Sequence, residues 1–177
     1  EYITNPWTRD GQVQATVIQM TARVTGPIVK LPIVNNQSVS KGDLLFEVVP
    51  RTYQSALDQD KAAVEEAQYS LAESKDLADR GRSIRARNPG AMSKEELTSR
   101  ENNQRAAEAA LHQAQAALEN ARLNLEFTQV RAPVVGYVTN LNVRLGSQAV
   151  ANQPILALLD VNSYWIDAYF REDLMDQ

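Results

Sequence analysis

The sequence contains no cysteine and only one histidine among its 177 residues, so disulfide bridges and thiolate metal sites are excluded. Aromatic residues make up only 6% of the chain, and much of the 44% hydrophobic content is alanine, so a single large aromatic core is not expected. No apolar run approaches the roughly 18 residues that a membrane-spanning helix requires. The net charge of −4 argues against nucleic acid as a partner, since nucleic acid requires a basic face.

Residue patterns that support catalysis or cofactor binding are also missing from the sequence. We find no nucleophile–base pair, glycine-rich phosphate loop or cluster of metal ligands. The paired carboxylates Glu65–Glu66 and Glu95–Glu96 fall in helical segments without a concave pocket, which favours solvated faces or caps. His112 is a lone histidine on a helix flank, and Lys41 lies in a turn. We therefore expect a protein that is not an enzyme and has no cofactor.

Two long segments rich in alanine and leucine carry a seven-residue repeat. In the second segment, Leu111, Leu118 and Leu125 recur with alanines between them, and the first segment keeps the same period from Leu57 to Ala78. Two apolar places per heptad form the seam of a coiled coil. The connection between the segments is so short that an antiparallel return is expected. The sequence therefore predicts a coiled-coil hairpin, with arms of some 35 residues reaching about 50 Å.

Start and stop signals define the turn of this hairpin. The heptad pattern weakens beyond Gly81, and the run Asn88-Pro89-Gly90 predicts a reversal. Ser93 followed by Glu96 is a capping box that starts the second helix, and Met92 with Leu97 forms a hydrophobic staple. We therefore predict a turn over about residues 81–92.

Strand-like blocks on either side of the hairpin repeat one motif. Apolar residues follow Gly26 and Gly136 at the same offsets, up to Asn36 and Gly146. This alignment predicts one inserted residue, which delays Val150 relative to Val39. Each block of about 28 residues is too small to bury a sheet face alone. Two halves facing each other across a pseudo-two-fold axis are expected to close one small sandwich.

A longer signature after the second helix carries a family resemblance. It runs Leu125-x-x-Thr128-x-Val130-x-Ala132-Pro133-x-x-Gly136-x-Val138 and leads into the second half-motif. With the repeat and the hairpin, it resembles the periplasmic adaptors, or membrane fusion proteins, of the hemolysin-secretion type. Three motifs are most similar to adaptors of aromatic carboxylic acid efflux pumps: Asn5-Pro6-Trp7-Thr8-Arg9-Asp10, Ala91-Met92-Ser93 and Tyr137-Val138-Thr139-Asn140-Leu141-Asn142-Val143.

The resemblance implies an α+β fold: a biotinyl/lipoyl-like β-sandwich split by an inserted antiparallel coiled-coil hairpin, with remnants of a β-barrel. It implies that Gly26, Gly42, Thr128, Pro133 and Gly136 have structural roles. Family members begin with a membrane anchor and continue into a β-barrel, so the chain is expected to be part of a longer protein. The implied divisions are a juxtamembrane segment with a barrel strand (1–21), the first half (22–50), the hairpin (51–128), the second half (129–160) and the start of the barrel (161–177). Residues 12–20 and 164–170 would be barrel strands.

The implied function is that of an adaptor between an inner-membrane transporter and an outer-membrane channel, exporting small molecules such as aromatic acids or drugs. The protein would be periplasmic, anchored to the inner membrane of a Gram-negative bacterium, and a homo-oligomer, either a trimer or a hexamer. The alternative is a carrier-type subunit or a free-standing coiled-coil structural module. A lipoyl or biotinyl adduct on the native protein would support the carrier alternative.

The hairpin tip is the candidate site for binding the channel. Residues 80–94 hold four arginines and one lysine without an acid, which is either a solvated turn or an electrostatic patch. The family's docking pattern Arg-x-x-x-Leu-x-x-x-x-x-x-Ser matches Arg82 and Ser93, but Ala86 stands in the leucine place. The predicted partner-binding residues are Arg82, Arg85, Arg87 and Ser93. Among them we expect Arg82 to be the polar contact and Ser93 to serve mainly as the helix cap.

Overall fold

A computed structural model describes residues 11–168 of the protein, which consists of two units. Two long helices form one of these units. Helix α1 (Arg51–Arg87) and helix α2 (Lys94–Glu126) make up the unit of residues 50–127. The other unit combines the described residues up to Val49 with those from Thr128 onward. The predicted α+β fold, a small sandwich interrupted by a two-helix hairpin, is confirmed.

The seam between the helices follows the predicted heptads. Leu57 and Ala78 of α1 and Ala107 and Ala121 of α2 are buried. The remaining seam places are half-buried, as expected for a coiled coil of only two helices. They include Val64, Ala67, Leu71, Ser74, Leu111, Ala114, Leu118 and Leu125.

Helix α1 continues through Gly81, so the prediction that the turn begins at this residue is wrong. Gly81 is buried in the seam, where a β-carbon would lie 3.1 Å from Leu97 Cδ1 and 3.2 Å from Met92 Sδ. The lack of a side chain lets the two helices approach closely, and this packing offsets the low helix propensity of glycine. The helix therefore continues to Arg87, and the link between the helices is residues 88–93.

The strands of the other unit form two antiparallel four-stranded sheets, each built from both halves of the repeat. One sheet has the order β2-β9-β7-β4, with β2 Val17–Thr21, β9 Pro154–Asp160, β7 Gly136–Thr139 and β4 Ser38–Val39. The other has the order β6-β5-β3-β8, with β6 Gln129–Arg131, β5 Leu44–Val48, β3 Gly26–Lys30 and β8 Gln148–Ala149. The largest side chains of the core are Phe46, Ile28, Leu45 and Leu158.

Reciprocal hydrogen bonds between the halves establish the pseudo-two-fold relation. Asn36 N donates to Val138 O at 2.7 Å, and its counterpart Gly146 N donates to Ile28 O at 2.8 Å. Both donors have positive φ, 64° for Asn36 and 88° for Gly146, which glycine and asparagine tolerate best. Gly26 pairs with Ala149 on β8 in the same way that Gly136 pairs with Val39 on β4. The two glycines therefore occupy equivalent positions.

The repeat contains no inserted residue, so the expected delay of Val150 relative to Val39 is wrong. Val39 is buried on β4, and its counterpart on β8 is Ala149, which is 1% exposed. Val150 lies after β8 and is exposed. Alanine is among the residue types that are often fully buried, and Ala149 holds the core place that Val39 holds in the first half.

Only parts of the two segments predicted as barrel strands pair with each other. Strand β1 (Gly11–Gln14) pairs with β10 (Trp165–Ala168) in a separate two-stranded sheet. The continuous strand expected over residues 12–20 breaks at Ala15–Thr16, because Thr16 N donates to Ser163 Oγ at 2.8 Å. Beyond the break, β2 joins the sandwich next to β9. Residues 169–170 of the second predicted strand lie outside the described part.

Candidate partner-binding site at the hairpin tip

Ser93 caps α2 as predicted from the sequence. Its backbone is extended, with φ −69° and ψ 157°, and its hydroxyl oxygen accepts a hydrogen bond from Glu96 N at 3.0 Å. Only this half of the capping box is formed. The Glu96 carboxylate instead accepts a hydrogen bond from Arg100 Nη2 at 3.0 Å, because a guanidinium one turn along the helix is a stronger donor than the Ser93 amide. Met92, at the predicted staple, is buried.

Arg82 makes its polar contacts within the hairpin. Its Nη1 lies 2.6 Å from Asp79 Oδ1 on the same helix, and its Nε lies 3.1 Å from Glu101 Oε1 on the opposite helix. Its Nη2 donates to Gln104 Oε1 at 3.4 Å. The side chain is still 45% exposed, so one side of the guanidinium faces solvent. The predicted polar contact is therefore also a bridge between the two helices.

Two other arginines hold the turn by binding backbone carbonyl groups across the hairpin. Arg85 is half-buried and donates from Nη1 to Met92 O at 3.1 Å. Arg100 donates from Nη1 to Leu77 O at 3.2 Å. A guanidinium can satisfy a carbonyl oxygen while it keeps its charge, so both cations order the tip and also contribute to its positive potential.

Arg87 and Lys94 differ from the other basic residues of the tip. Both are exposed, and neither makes an ion pair or a hydrogen bond in the part of the chain that the structure describes. They end α1 and begin α2, so they flank the turn of residues 88–93. Of the predicted partner-binding residues, Arg87 is therefore the one available without breaking an existing contact. An acidic group or a backbone carbonyl of a partner suits such cations.

The tip network includes residues that the sequence analysis did not select. Glu101 and Gln104 bind Arg82, and Arg100 binds the carbonyl oxygen of Leu77 on α1. These three residues stand between 7 and 11 residues beyond Ser93 in the sequence. A charge pattern could have found them. In an antiparallel hairpin, residues at similar distances from the turn lie side by side. Arg82 is five residues before the end of α1 and Glu101 is seven residues after the start of α2, and the two carry opposite charges.

The five residues predicted to be structural lie in the sandwich unit. Gly42 has φ 90°, and its N–H donates to Ala132 O at 2.8 Å. Thr128 is 2% exposed, and its carbonyl accepts from Val48 N at 2.8 Å. Pro133 is exposed in the loop between β6 and β7, and Gly26 and Gly136 hold the equivalent places described above.

Within residues 11–168, neither helix contains an apolar stretch that could cross a membrane. The same residues contain no group of three or more histidine, aspartate or glutamate side chains arranged to hold a metal ion. His112 is exposed on α2.

Comparison with known proteins places these features in a family. The profile "RND MFP, barrel-sandwich hybrid domain" matches residues 16–161. The uncharacterized protein YdhJ of Escherichia coli K12 is 39% identical over 171 residues, which cover 97% of this chain and 59% of YdhJ. This chain thus spans less than two thirds of that relative.

Solved structures show the same architecture. MacA from Actinobacillus actinomycetemcomitans matches with a TM-score of 0.75 at 25% identity, covering 97% of this chain and 61% of that one. A MacA–MexA chimera with the α-hairpin domain of Pseudomonas aeruginosa MexA matches with a TM-score of 0.55 at 31% identity, covering 89% and 52%. The resemblance to membrane fusion proteins is confirmed, and the chain belongs to the RND-type membrane fusion protein family, whose barrel-sandwich hybrid domain it contains.

Proposed function

We propose that this chain is part of a periplasmic adaptor that connects an inner-membrane transporter to an outer-membrane channel for the export of small molecules. The observation that carries the proposal is the family match over residues 16–161, which includes the whole hairpin. The adaptor acts without catalysis and is anchored to the inner membrane. It works as a homo-oligomer, a trimer or a hexamer.

The length of the hairpin suits a bridging role. Helices of 37 and 33 residues reach about 50 Å, far more than an average globular helix. The seam holds the two helices together along this length, and the tip ends in a turn ordered by a cap and by arginine contacts. A stiff arm with an ordered tip can present Arg87 and Lys94 to a channel.

The finer assignment to adaptors of aromatic carboxylic acid pumps, of the hemolysin-secretion type, is part of the same proposal. It rests on the sequence motifs around Asn5–Asp10 and Tyr137–Leu141. Deletion of the gene in its host should increase sensitivity to toxic aromatic carboxylic acids, and the unaltered gene should restore resistance. Unchanged sensitivity to aromatic acids with increased sensitivity to other drugs would leave the adaptor proposal in place and overturn the substrate class.

A direct test of tip docking uses the absence of cysteine. With Arg87→Cys as the only cysteine in these 177 residues, and any cysteine elsewhere in the full-length protein replaced by serine, a short thiol-reactive photo-crosslinker should capture the outer-membrane channel in cells. The matched control is Arg105→Cys, an exposed arginine on α2 away from the tip, which should not capture the channel. Equal capture from both positions, or none from Arg87→Cys in cells that still export, would contradict docking through this tip.

A further inference from the structure

Arg100 occupies a place in the hairpin seam that the following heptads of α2 fill with alanine. One of the two seam places is alanine in three successive heptads, at Ala107, Ala114 and Ala121. Seven residues before Ala107, the same place is Arg100. A single polar residue in an otherwise apolar seam lowers stability, but it specifies how two helices align. The place of Arg100 therefore indicates a role in alignment.

The residue of α1 that lies against Arg100 has no side chain. Gly81 is the only glycine in either helix, and it takes the seam place that Ala67 and Ser74 fill in the preceding heptads. A β-carbon on Gly81 would lie 3.4 Å from Arg100 Cδ, so the arginine side chain runs directly past this residue. The glycine thus leaves the space that the long side chain of Arg100 occupies.

The guanidinium of Arg100 binds the backbone of α1 beside this glycine. Its Nη1 donates to Leu77 O at 3.2 Å. In an α-helix the same carbonyl oxygen accepts from the N–H four residues later, which is that of Gly81, and its second lone pair accepts from the guanidinium. A side chain on residue 81 would crowd this approach. Arg100 therefore binds α1 at the one helical position where a glycine leaves room for it.

Both terminal nitrogens of the Arg100 guanidinium are engaged within the hairpin. While Nη1 binds Leu77 O, Nη2 lies 3.0 Å from Glu96 Oε1 on the preceding turn of α2. The side chain is 28% exposed, compared with 45% for Arg82. A partner would have to break both contacts to bind this guanidinium. Arg100 is thus suited to holding the tip rather than to contacting a partner.

We propose that Arg100 is a positioning residue for docking at the tip: its bond to Leu77 O beside Gly81 fixes the alignment of α2 on α1, and with it the arrangement of the exposed cations that meet the channel. The inference rests on the proposed function and deepens it. The rest of the seam specifies alignment poorly, because from Ala107 to Leu125 leucine and alanine recur in every heptad. A shift along such a seam meets equivalent residues.

The contact of Arg100 adjoins the residues that the docking proposal uses. Arg82 directly follows Gly81, and Glu101 directly follows Arg100, so the ion pair between Arg82 and Glu101 stands next to the contact. The helix ends that carry the exposed cations are six residues away on each helix, a rise of about 9 Å. With the helices fixed so close to the turn, a partner loses less binding free energy to ordering of the tip.

A distance between the two helices measures the alignment directly. Nitroxide labels on Ser83→Cys and Thr98→Cys, both exposed, should give one narrow distance distribution by pulsed electron paramagnetic resonance of the purified protein, diluted with unlabelled protein. Arg100→Met keeps a long, helix-forming side chain without the guanidinium, and it should broaden the distribution about twofold because other alignments become populated. The control Arg105→Met, at an exposed arginine further along α2, should leave it unchanged. A distribution that stays narrow in Arg100→Met would overturn the proposal.

Capture of the channel through Arg87→Cys connects the alignment to docking. In full-length protein with this cysteine, Arg100→Met should lower the capture yield about threefold to tenfold, because the partner then has to order the tip. Arg100→Lys should give an intermediate yield, since an ammonium can reach Leu77 O or Glu96 but lacks the planar fork that binds both. The control Arg105→Met should stay within about twofold of the unsubstituted protein, as expected for an exposed cation. Protein abundance and melting temperature are measured for each variant.

Gly81→Ala tests the same contact without changing the arginine, and it keeps the test decisive if Arg100→Met does not fold. Alanine is the better helix former, so the helical propensity of α1 rises. The new β-carbon would lie 3.4 Å from Arg100 Cδ and 3.1 Å from Leu97 Cδ1, so it crowds the approach to Leu77 O. The label distance should shift and capture should fall as in Arg100→Met. An unchanged distance together with unchanged capture in Gly81→Ala would contradict the positioning role.

The outcomes separate this inference from the proposed function. If Arg87→Cys captures the channel equally with and without Arg100→Met at normal abundance, docking through the tip stands and the positioning role is wrong. If Arg100→Met lowers capture while the label distribution stays narrow, Arg100 contacts the channel directly and the positioning role is again wrong. If Arg87→Cys captures nothing in cells that export, docking through this tip is wrong, and the positioning role falls with it.

Discussion

Arg82 on α1 and Glu101 on α2 form an ion pair across the hairpin tip, with 3.1 Å between Nε and Oε1. The residue that the docking pattern selects as the polar contact for a channel is therefore also part of the tip's own structure. Asp79 and Gln104 complete its surroundings on the two helices. A variant at Arg82 changes both the surface of the tip and its stability, and the two effects have to be measured separately.

Arg82→Ala should lower the free energy of unfolding by about 0.5–1 kcal/mol, since a partly exposed ion pair contributes no more than this. A double-mutant cycle with Glu101→Ala should give a coupling energy of about 0.5 kcal/mol. Urea unfolding followed by helical circular dichroism measures both values. A coupling energy indistinguishable from zero would show that the bridge contributes nothing to the hairpin.

Export distinguishes a docking role of Arg82 from its role as a bridge. If Arg82 contacts the channel, Arg82→Ala should impair export in cells more than Glu101→Ala does, because only the first removes the guanidinium. Arg82→Lys should retain part of the function if charge attraction suffices, and little if a bidentate contact is needed. Protein abundance is checked for each variant. Equal losses for Arg82→Ala and Glu101→Ala at normal abundance would indicate a structural role alone.

Ser93→Ala should destabilise α2 by about 1 kcal/mol, because Glu96 N loses its hydrogen bond to the Ser93 hydroxyl. Ser99→Ala is the matched control: Ser99 is exposed inside the same helix, where alanine is at least as favourable as serine. Amide hydrogen exchange in the first turn of α2 should speed up for Ser93→Ala and remain unchanged for Ser99→Ala. The same exchange rates in both variants would show that the cap is not what orders the turn.

Gly136→Ala should destabilise the sandwich by about 2–3 kcal/mol, because the new β-carbon would overlap the carbonyl oxygen of Leu159 on the neighbouring strand. At the equivalent Gly26, the β-carbon would lie 2.8 Å from Val48 Cγ1, a side-chain atom, so the loss should be nearer 1–2 kcal/mol. Gly90→Ala in the exposed turn meets its nearest atom at 3.5 Å and should stay within about 0.5 kcal/mol of wild type. Chemical denaturation gives the order of the three. A larger loss of stability for Gly26→Ala than for Gly136→Ala would contradict this order.

Glu119 gives the hairpin a pH-dependent contact. Hydrogen bonds from Arg122, reinforced by its charge, lower the pKa of the Glu119 carboxyl below its ordinary value of 4.5. A lowered pKa in the folded state means that the contact stabilises the helix above the ordinary pKa, and that this stability is lost as the pH falls through the folded-state pKa. Glu119→Gln should therefore melt slightly below wild type at pH 7 and at the same temperature in strong acid. Because both side chains are exposed, high salt at pH 7 should also remove the difference. A difference that persists in acid would show that the ion pair is not its cause.

Local patterns in the sequence determined the hairpin. The heptad from Leu57 to Ala78 and from Ala107 to Leu125 predicted the seam, and Ser93 predicted the start of α2. These features depend on residues within one or two helical turns, so neighbours along the chain determine them. The positions of Gly26 and Gly136 likewise showed that the sandwich is a repeat.

Only the tertiary structure decided how the repeat is assembled and how the tip is held. Strand β4 lies in the sheet that holds β7 and β9, and β8 lies in the sheet that holds β3 and β5. This arrangement depends on hydrogen bonds between residues more than a hundred positions apart, such as Asn36 and Val138, and no local propensity specifies them. Helix α1 continues through Gly81 because Leu97 and Met92 pack there, which offsets the weak helix propensity of glycine. The tip shows both kinds of contact at Arg82. Its partner Asp79 lies three residues away on α1, whereas Glu101 and Gln104 reach it because the antiparallel seam brings α2 alongside.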